Sequence, residues 1–382
     1  MSSRITWFAL ALSMMAVFLP TGLAQAAKPA GDSVLCSPQL QLRHPEYCPP
    51  TGPGGRLVEM TEAGTYPPKP LHFDRLDPNL SYLPYSYRRV SDKGARLYGS
   101  VEDALNESGA INSIEPGFVY VSWLECTEEQ GKAIYMVAPG VYMRGGDSCG
   151  EIGLPDFRGL AFSRTPERPF GWIVSTVEPT LTPGHNEPKT GKTRYRPELV
   201  QIYESREVEG ATWYRIGPDE WVADNLLAIV TPDPQRPEGI PEDRWIDINL
   251  YEQTLTVYDQ GELVFATMAS TGLPGWWTQP GVFQVYARLE NDDMSGAFAA
   301  DRSDYYLLED VPWVLYYDKA RAMHGAYWHN GYGLPRSHGC VNLSPTDAHW
   351  LYDFAQEGTW VHAWDPSGKT PTDAEFYSDG GA

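Results

Sequence analysis

The residues best suited to chemistry lie in one stretch near the C-terminal end, HGAYWHNGYGLPRSHGCVNLSP, which spans residues 324–345. It contains His324, His329, His338 and Cys340. Neutral imidazole and thiolate are good zinc ligands, but no pair among these residues has the i, i+4 spacing of a helical zinc site. The glycines and the proline between them are not compatible with a helix. The sequence therefore predicts no metal ion and no other cofactor.

A cysteine nucleophile with a nearby base is the interpretation that these spacings favour. A thiolate is the reactive form of cysteine, and an adjacent base promotes its formation. His338 is two residues from Cys340, on the same side of an extended segment, and His324 lies in a run whose alternation predicts a strand. Gly339 has no side chain, so its N–H and that of Cys340 could form an oxyanion hole. The alternative is a buried structural cysteine beside histidines of a surface loop.

The elements around this stretch are predicted to hold it rigidly. Ser344 is a plausible N-cap, Pro345 suits the first helical position, and Asp347 falls at the capping-box position. The apolar positions that follow form one helical face, and Gly358 is predicted to end the helix. Upstream, residues 245–272 alternate between apolar and polar side chains and predict a meander of strands with one buried face.

Six consecutive residues, Ser337 to Asn342, read SHGCVN. With His324 before them and a Leu-Ser-Pro sequence after them, they resemble the signature of the L,D-transpeptidase catalytic domain. Further resemblance runs over residues 245–364, in the EQTLTVY, STG and TQPGVF segments. One departure is the spacer of residues 325–336, which is shorter than is typical of that family and leaves the shape of the substrate-covering loop open.

The resemblance implies attack on peptidoglycan tetrapeptide stems at the amide between the L-centre of a diamino acid and D-Ala. D-Ala leaves, a thioester remains on Cys340, and an amine of another stem takes the acyl group. The resemblance further implies that His324 is the base, oriented by the Gly325 carbonyl. It implies that His338 tunes the thiol and that Gly339 helps to bind the oxyanion. An L,D-carboxypeptidase, with water as acceptor, and a catalytically silent wall-binding protein are the alternatives.

Several further side chains are predicted to contact the substrate. A tyrosine near position 306 is implied by the resemblance, whereas adjacent tryptophans at 276 and 277 cannot both be buried in one core, so that one is free to line a cleft. The predicted substrate-binding residues are Ser337, Tyr306, Trp276, Trp277 and Tyr327.

The rest of the chain predicts a mainly β protein, since its 36 glycines and 33 prolines suit many tight turns. Two segments share a strand followed by a strand-turn-strand pattern, which resembles bacterial SH3-like modules, small barrels common in cell-wall proteins. The predicted domains are residues 1–26 as a signal peptide, 27–85 as a Pro-rich linker, 86–165 and 166–235 as SH3-like modules, 242–365 as a catalytic β-sandwich with one or two short helices, and 366–382 as a polar tail.

The composition indicates the compartment and excludes some partners. A net charge of −21 makes nucleic acid and anionic lipid unlikely partners. The signal peptide predicts a protein that is secreted to the cell envelope, in the periplasm or cell wall, and that has no integral membrane segment once the peptide is removed. We expect a monomer whose partners are peptidoglycan stem peptides. In such an oxidising compartment we expect two disulfides, Cys36–Cys48 and Cys126–Cys149, with Cys340 left free.

Overall fold

The computed structural model of the protein describes residues 38–45, 48, 53–67 and 69–377. The predicted signal peptide and the Cys36 half of the first predicted disulfide lie outside these residues. The helices are few and short: α1 Pro38–Arg43, α2 Pro53–Glu62, α3 Val101–Asn106 and α4 Pro345–Phe354, with 3-10 turns at Pro78–Ser81, Asp224–Leu226 and Ala374–Phe376.

Strands make up most of the regular structure, which confirms a mainly β protein. The first fourteen are β1 Ser86–Arg89, β2 Ala95–Tyr98, β3 Ala110–Ile114, β4 Phe118–Trp123, β5 Glu125–Glu129, β6 Lys132–Ala138, β7 Val141–Arg144, β8 Leu160–Ala161, β9 Phe170–Ile173, β10 Leu199–Gln201, β11 Glu204–Val208, β12 Ala211–Gly217, β13 Glu220–Ala223 and β14 Leu227–Val230. The remaining nine are β15 Arg244–Asn249, β16 Thr254–Asp259, β17 Glu262–Met268, β18 Gly281–Gln284, β19 Ala287–Gly296, β20 Tyr306–Asp318, β21 Arg321–Gly325, β22 Val341–Leu343 and β23 Trp360–Trp364.

Two six-stranded sheets contribute to the main core. One has the order β1-β4-β20-β21-β22, with β19 also paired to β20, and the other has the order β18-β23-β15-β16-β17-β8. Alternate residues of β15 and β16, such as Ile246 and Val257, meet alternate residues of the first sheet, such as Leu315, Met323 and Val341, in one fully buried cluster. The period-two pattern in the sequence therefore sets the buried face of the predicted meander.

Helix α4 starts where the sequence predicts and ends earlier. The Ser344 hydroxyl accepts a hydrogen bond from the Asp347 N–H at 3.1 Å, which caps the first turn. Leu351 and Ala355 pack into the main core. The last helical residue is Phe354 rather than one adjoining Gly358, because Ala355 already adopts an extended conformation. The helix thus follows β22 almost directly and anchors the segment that carries Cys340.

Strands of the predicted first module, residues 86–165, contribute to three different sheets. Strands β1 and β4 join the sheet of β20 and β21, and β8 extends the other large sheet. Only β3-β2-β7-β6-β5 form a sheet of their own. Their apolar side chains share a buried cluster with Val119 and Val121 of β4 and with Leu307 of β20. The upstream segment therefore shares its core with the C-terminal region.

The second upstream segment has one buried cluster of its own, while Trp172 and Ala228 of its strands pack in another cluster with Trp245 of the C-terminal region. Sheets β10-β9-β14 and β11-β12-β13 pack around a buried cluster that includes Ile173, Val200, Ile216 and Val222. The strand-turn-strand repeats of the sequence are the hairpins β6–β7 and β12–β13, as the repeats predict. The SH3-like identity of both segments stays a prediction.

Both predicted irregular ends contact the folded core. Within the proposed linker, the Asp74 N–H donates to the Ala161 carbonyl at 2.8 Å, and Leu76 lies in the main core. In the proposed tail, the Tyr377 ring is buried against the guanidinium of Arg321. These parts of the chain are therefore not a free linker and tail. The predicted Cys126–Cys149 disulfide is confirmed, with an S–S distance of 2.02 Å.

Candidate active site

Adjacent parallel strands bring His324 and Cys340 to one face of a sheet. In the ladder of β21 and β22, Met323 lies opposite Val341 and His324 lies opposite Asn342. Met323 and Val341 point into the main core, so that the alternate side chains His324, Asn342 and Cys340 point to the other face. On that face is a cavity of about 730 Å³, which all three of them line.

The thiol of Cys340 is buried and held by backbone groups. Its Sγ accepts a hydrogen bond from the Ala322 N–H at 3.4 Å, and its S–H points to the Ala320 carbonyl at 3.9 Å. Burial raises the pKa of Cys340 to about 11, although the Ala322 N–H and the Arg321 charge oppose this effect. Cys340 is therefore a protonated thiol at neutral pH. Among the described residues, no hydrogen bond joins it to His324.

His324 is a neutral imidazole at the same pH. Its side chain is 2% exposed, and burial lowers its pKa to about 4. The backbone of Gly325 raises that pKa slightly, as expected of the carbonyl predicted to orient the ring. Within the described residues, however, Nδ1 has no hydrogen-bond partner of standard geometry. His324 can therefore accept a proton, and the bond that would orient it is loose in this conformation.

His329 is fixed in the cavity wall rather than placed on a mobile loop. The Gly331 N–H donates to its Nδ1 at 3.1 Å, so that Nε2 carries the proton. Nε2 lies 3.1 Å from the side-chain amide of Asn342, which must then present its oxygen. Burial lowers the pKa of His329 to about 3, and the charge of Arg336 acts in the same direction. His329 is thus a neutral hydrogen-bond donor that orients Asn342.

His338 lies among aromatic rings. Its ring centre is 4.9 Å from that of Trp276, 4.7 Å from that of Phe298 and 5.6 Å from that of Tyr306. Burial lowers the pKa of His338, and the carboxylate of Asp304 opposes that effect. The pKa of the Cys340 thiol is set by burial, by the Ala322 N–H and by the charge of Arg321. His338, which is predicted to tune that thiol, is not one of these influences.

The turn before Cys340 requires glycine and uses the hydroxyl of Ser337. Gly339 has a φ of +125°, and a Cβ there would lie 3.0 Å from Nε of Arg321. The Ser337 hydroxyl donates to the Cys340 carbonyl at 2.5 Å and accepts the Gly339 N–H at 3.1 Å. The N–H that the sequence assigns to an oxyanion hole is therefore engaged by Ser337 in this conformation. Thr278, in the TQPGVF segment, donates to the Gly339 carbonyl at 2.8 Å and steadies the turn.

The structure brings some of the predicted substrate-binding residues together and separates others. Ser337, Tyr306 and His338 line the cavity with Cys340 and His324. Trp276 is exposed and lies outside the cavity lining, where its ring contacts those of His338 and Phe298. Trp277 is half-buried and also lies outside the cavity lining.

Tyr327 does not reach the cavity. It is 1% exposed, stacks on Tyr87 of β1 at 3.7 Å, and donates to the Glu309 carbonyl. Its role in this structure is to pack the upstream strand against the C-terminal sheet.

Sequence reasoning missed the upstream side of the cavity. Arg89 of β1 and Phe118 and Tyr120 of β4 line it, as do Asp304 and Arg336. No local sequence pattern marks Arg89, Phe118 or Tyr120 as cavity residues, because their position depends on a strand pairing between distant parts of the chain. In the described part of the chain, no cluster of three or more His, Cys, Asp and Glu side chains is arranged to hold a metal ion.

Comparisons with known proteins identify the domain that contains this cavity. Residues 243–362 match the profile of the YkuD family, the L,D-transpeptidase catalytic domain. L,D-transpeptidase 1 of Mycobacterium tuberculosis is 30% identical over 166 residues, which cover 37% of this chain and 64% of that protein. The match thus spans less than two thirds of the curated relative.

Two solved structures are also similar. The catalytic domain of an Enterococcus faecium L,D-transpeptidase is 27% identical, with a TM-score of 0.29, over 33% of this chain and 100% of that one. An L,D-transpeptidase from Mycobacterium smegmatis is 23% identical, with a TM-score of 0.31, over 42% of this chain and 76% of that one.

The C-terminal region of this chain is therefore an L,D-transpeptidase catalytic domain of the YkuD family. The Cys126–Cys149 disulfide favours an oxidising, extracytoplasmic location. None of the helices in the described residues is long and apolar enough to cross a membrane.

Proposed function

We propose that the protein is a secreted L,D-transpeptidase that crosslinks peptidoglycan stems through a thioester on Cys340. The observation that carries this proposal is the placement of His324 on β21 and of Cys340 directly before the neighbouring parallel strand β22, with both side chains lining one cavity. A thiol and a neutral imidazole at one cavity wall are the parts that acyl transfer by a cysteine requires.

The two pKa values indicate when the proton moves. A thiol with a pKa of about 11 and an imidazole with a pKa of about 4 do not exchange a proton at rest, because the gap corresponds to roughly 10 kcal/mol. The resting pair is therefore neutral. Proton transfer from Cys340 to His324 accompanies attack on the substrate carbonyl, after Sγ turns from the Ala322 N–H toward the cavity.

The reaction then proceeds in two balanced steps. Sγ of Cys340 bonds to the carbonyl carbon of the diamino acid, the C–N bond to D-Ala breaks, and the proton held by His324 goes to the leaving amine. In the second step an amine of another stem attacks the thioester, His324 takes its proton, and the proton returns to the departing sulfur. The product is an amide between two diamino-acid residues, and the thiol is regenerated.

The oxyanion requires a small rearrangement of the turn at Gly339. The Gly339 N–H donates to the Ser337 hydroxyl at 3.1 Å. A substrate oxyanion is a stronger acceptor than a neutral hydroxyl, so it can displace Ser337 from that N–H during the reaction. The Ser337 hydroxyl remains bonded to the Cys340 carbonyl and keeps the turn closed.

Substitutions of the cysteine and of two histidines test this mechanism. Cys340→Ala should abolish acyl transfer with the fold retained, since among the described residues no other thiol lines the cavity and the Ser337 hydroxyl is bonded to the backbone carbonyl of residue 340. His324→Ala should lower the turnover of tetrapeptide stems by roughly 10²–10⁴-fold, the usual contribution of a general base. His329→Ala, the matched control, should retain more activity because His329 orients Asn342 and does not take the proton. If the His329 variant is the inactive one, the base is assigned wrongly.

The acceptor decides between transfer and hydrolysis. Transfer is favoured when the cavity holds an amine and excludes water. Concentrated tetrapeptide stems should therefore yield more crosslinked dimer than free tripeptide. A wild-type protein that yields tripeptide alone is an L,D-carboxypeptidase. One that binds stems without forming an adduct on Cys340, as seen by intact-protein mass spectrometry after a carbapenem, is a wall-binding protein.

A further inference from the structure

Two strands from far upstream form one wall of the proposed active site. Strand β4 runs parallel to β20, with Phe118 opposite Tyr306 and Tyr120 opposite Leu308. Side chains of residues opposite each other in a ladder point to the same face of the sheet. That face is the one on which Tyr306 stacks with His338, and Phe118 and Tyr120 line the cavity there.

Strand β1 adds a positive charge to this wall. Arg89 lies opposite Tyr120 in the ladder of β1 and β4, and it lines the same cavity. Its side chain is 51% exposed and bonds to Asp92, which is 76% exposed, at 2.8 Å. An exposed pair of this kind contributes at most about 1 kcal/mol. That bond uses one of the five N–H donors of the guanidinium, so a ligand carboxylate can be bound beside Asp92 or replace it.

The charge around the cavity differs from that of the chain as a whole. The protein carries a net charge of −21, yet the cavity is lined by Arg89, Arg336 and a single carboxylate, Asp304. Both oxygens of Asp304 already accept backbone N–H groups of a neighbouring turn. Arg89 and Arg336 are therefore the charged side chains of the lining that can interact with a ligand, and their positive charge favours an anionic one.

A second groove extends this positive region. It has a volume of about 1290 Å³, and Arg89 lies where it meets the active-site cavity. Cations outnumber carboxylates by five to three in its lining, which holds Arg88, Arg89, Lys93, Arg96 and Arg144 against Asp92, Glu107 and Glu115. A peptide that leaves the cavity past Arg89 would thus continue along a surface that also favours negative charge.

We propose that Arg89 binds a free carboxylate of the peptide in the cavity, while Phe118 and Tyr120 pack against that peptide. The upstream strands would then select anionic stems rather than only space the enzyme from the wall. The identity of the peptide rests on the proposed function, but the carboxylate preference follows from the charge and position of Arg89.

Paired substrates test this proposal directly. One is a tetrapeptide stem with free side carboxylates, and the other is the same peptide with those groups converted to carboxamides. The wild type should show a KM about tenfold lower for the acid form, as expected of a charge-assisted hydrogen bond. Arg89→Gln should reduce that preference to less than twofold with kcat nearly unchanged. Arg89→Lys should keep part of it, because it keeps the charge and loses the planar fork.

Two further variants separate a specific effect from a general one. Arg75→Gln removes an exposed arginine that lines neither the cavity nor the second groove, and it should keep the full preference. Asp92→Asn removes the competing carboxylate and should lower the KM for the acid form by about threefold. An Arg89→Gln variant that keeps the wild-type preference, or an Asp92→Asn variant that weakens acid binding, overturns the proposal.

A binding measurement tests the role of Arg89 independently of the proposed reaction. Calorimetry with Cys340→Ala, alone and combined with Arg89→Gln, gives the Kd values of both peptides without turnover. If the wild type processes no stem, the proposed function fails, and these Kd values still decide the role of Arg89. A tenfold acid preference that disappears with Arg89→Gln supports it, and equal Kd values for both peptides in Cys340→Ala refute it.

Discussion

The protonation state of Cys340 in the resting protein can be tested by measuring how fast the thiol is alkylated. With a pKa of about 11, roughly one molecule in 10⁴ carries the thiolate at pH 7. An ordinary exposed cysteine carries it in about one molecule in 30. We therefore expect Cys340 to react with iodoacetamide more than a hundredfold more slowly than a free thiol at pH 7. The rate should rise about tenfold for each pH unit between 6 and 9.

The assay is timed alkylation followed by peptide mapping, so that only the modification of Cys340 is counted. Denatured protein provides the control, because unfolding removes the burial that raises the pKa. His324→Ala provides a second control. If the resting pair is neutral, removing the imidazole should leave the slope of rate against pH unchanged.

A rate that is already at a plateau between pH 6 and 8 would refute this reasoning. Such a plateau is the mark of a thiolate paired with an imidazolium, and it should then disappear in His324→Ala. The two pKa values would have to move toward each other by several pH units, which requires direct contact between Sγ and the imidazole in the resting enzyme.

Three further outcomes are expected. Burial raises the pKa of Glu309 to about 7, above the 4.3 of an unfolded chain, so its ionisation costs stability as the pH rises between those values. Glu309→Gln should raise the free energy of unfolding by about 2 kcal/mol at pH 8 but not at pH 4. Urea titrations measure this free energy, and an equal increase at the two pH values would contradict the prediction. Replacing Cys126 and Cys149 by serine should cost about 3 kcal/mol for this 23-residue separation, which thermal melting with and without reductant checks. Trp276→Ala should shift products from crosslinked dimer to tripeptide, because its ring supports His338, and an unchanged product ratio would count against that role.

The local features of the catalytic domain could be predicted because they depend on neighbours in sequence. Alternation sets the buried face of the β15–β17 meander, and the Ser344 cap fixes the start of α4. The residue types around Cys340 predict it to be the nucleophile, and the resemblance to the family adds His324 as its base; both assignments stay predictions. The helix end at Phe354 was missed, because an extended Ala355 terminates it without the predicted glycine.

Features that depend on distant pairing could not be predicted. The parallel pairing of β4 with β20 joins segments that are far apart, as the 187-residue separation of Ser122 and Glu309 illustrates. No turn, repeat or periodic pattern specifies that partner, so the pairing of the first upstream segment with the C-terminal sheet was not predicted. The same pairing buries Tyr327 against Tyr87, whereas its place in the motif had suggested a cleft residue.

The shared sheet also determines when the cavity can form during synthesis. Its strands come from residues 86–123 and 287–343, and the two groups must meet before the wall and the nucleophile face each other. Contacts of such large sequence separation form slowly, because loop closure precedes the gain from pairing. A partly synthesised chain holds Arg89 but not Cys340, and an excised segment of residues 243–362 holds Cys340 but leaves β20 without its β4 neighbour. Cys340 therefore meets this wall only after the chain has been made through β22, so the cavity cannot form around the thiol before then.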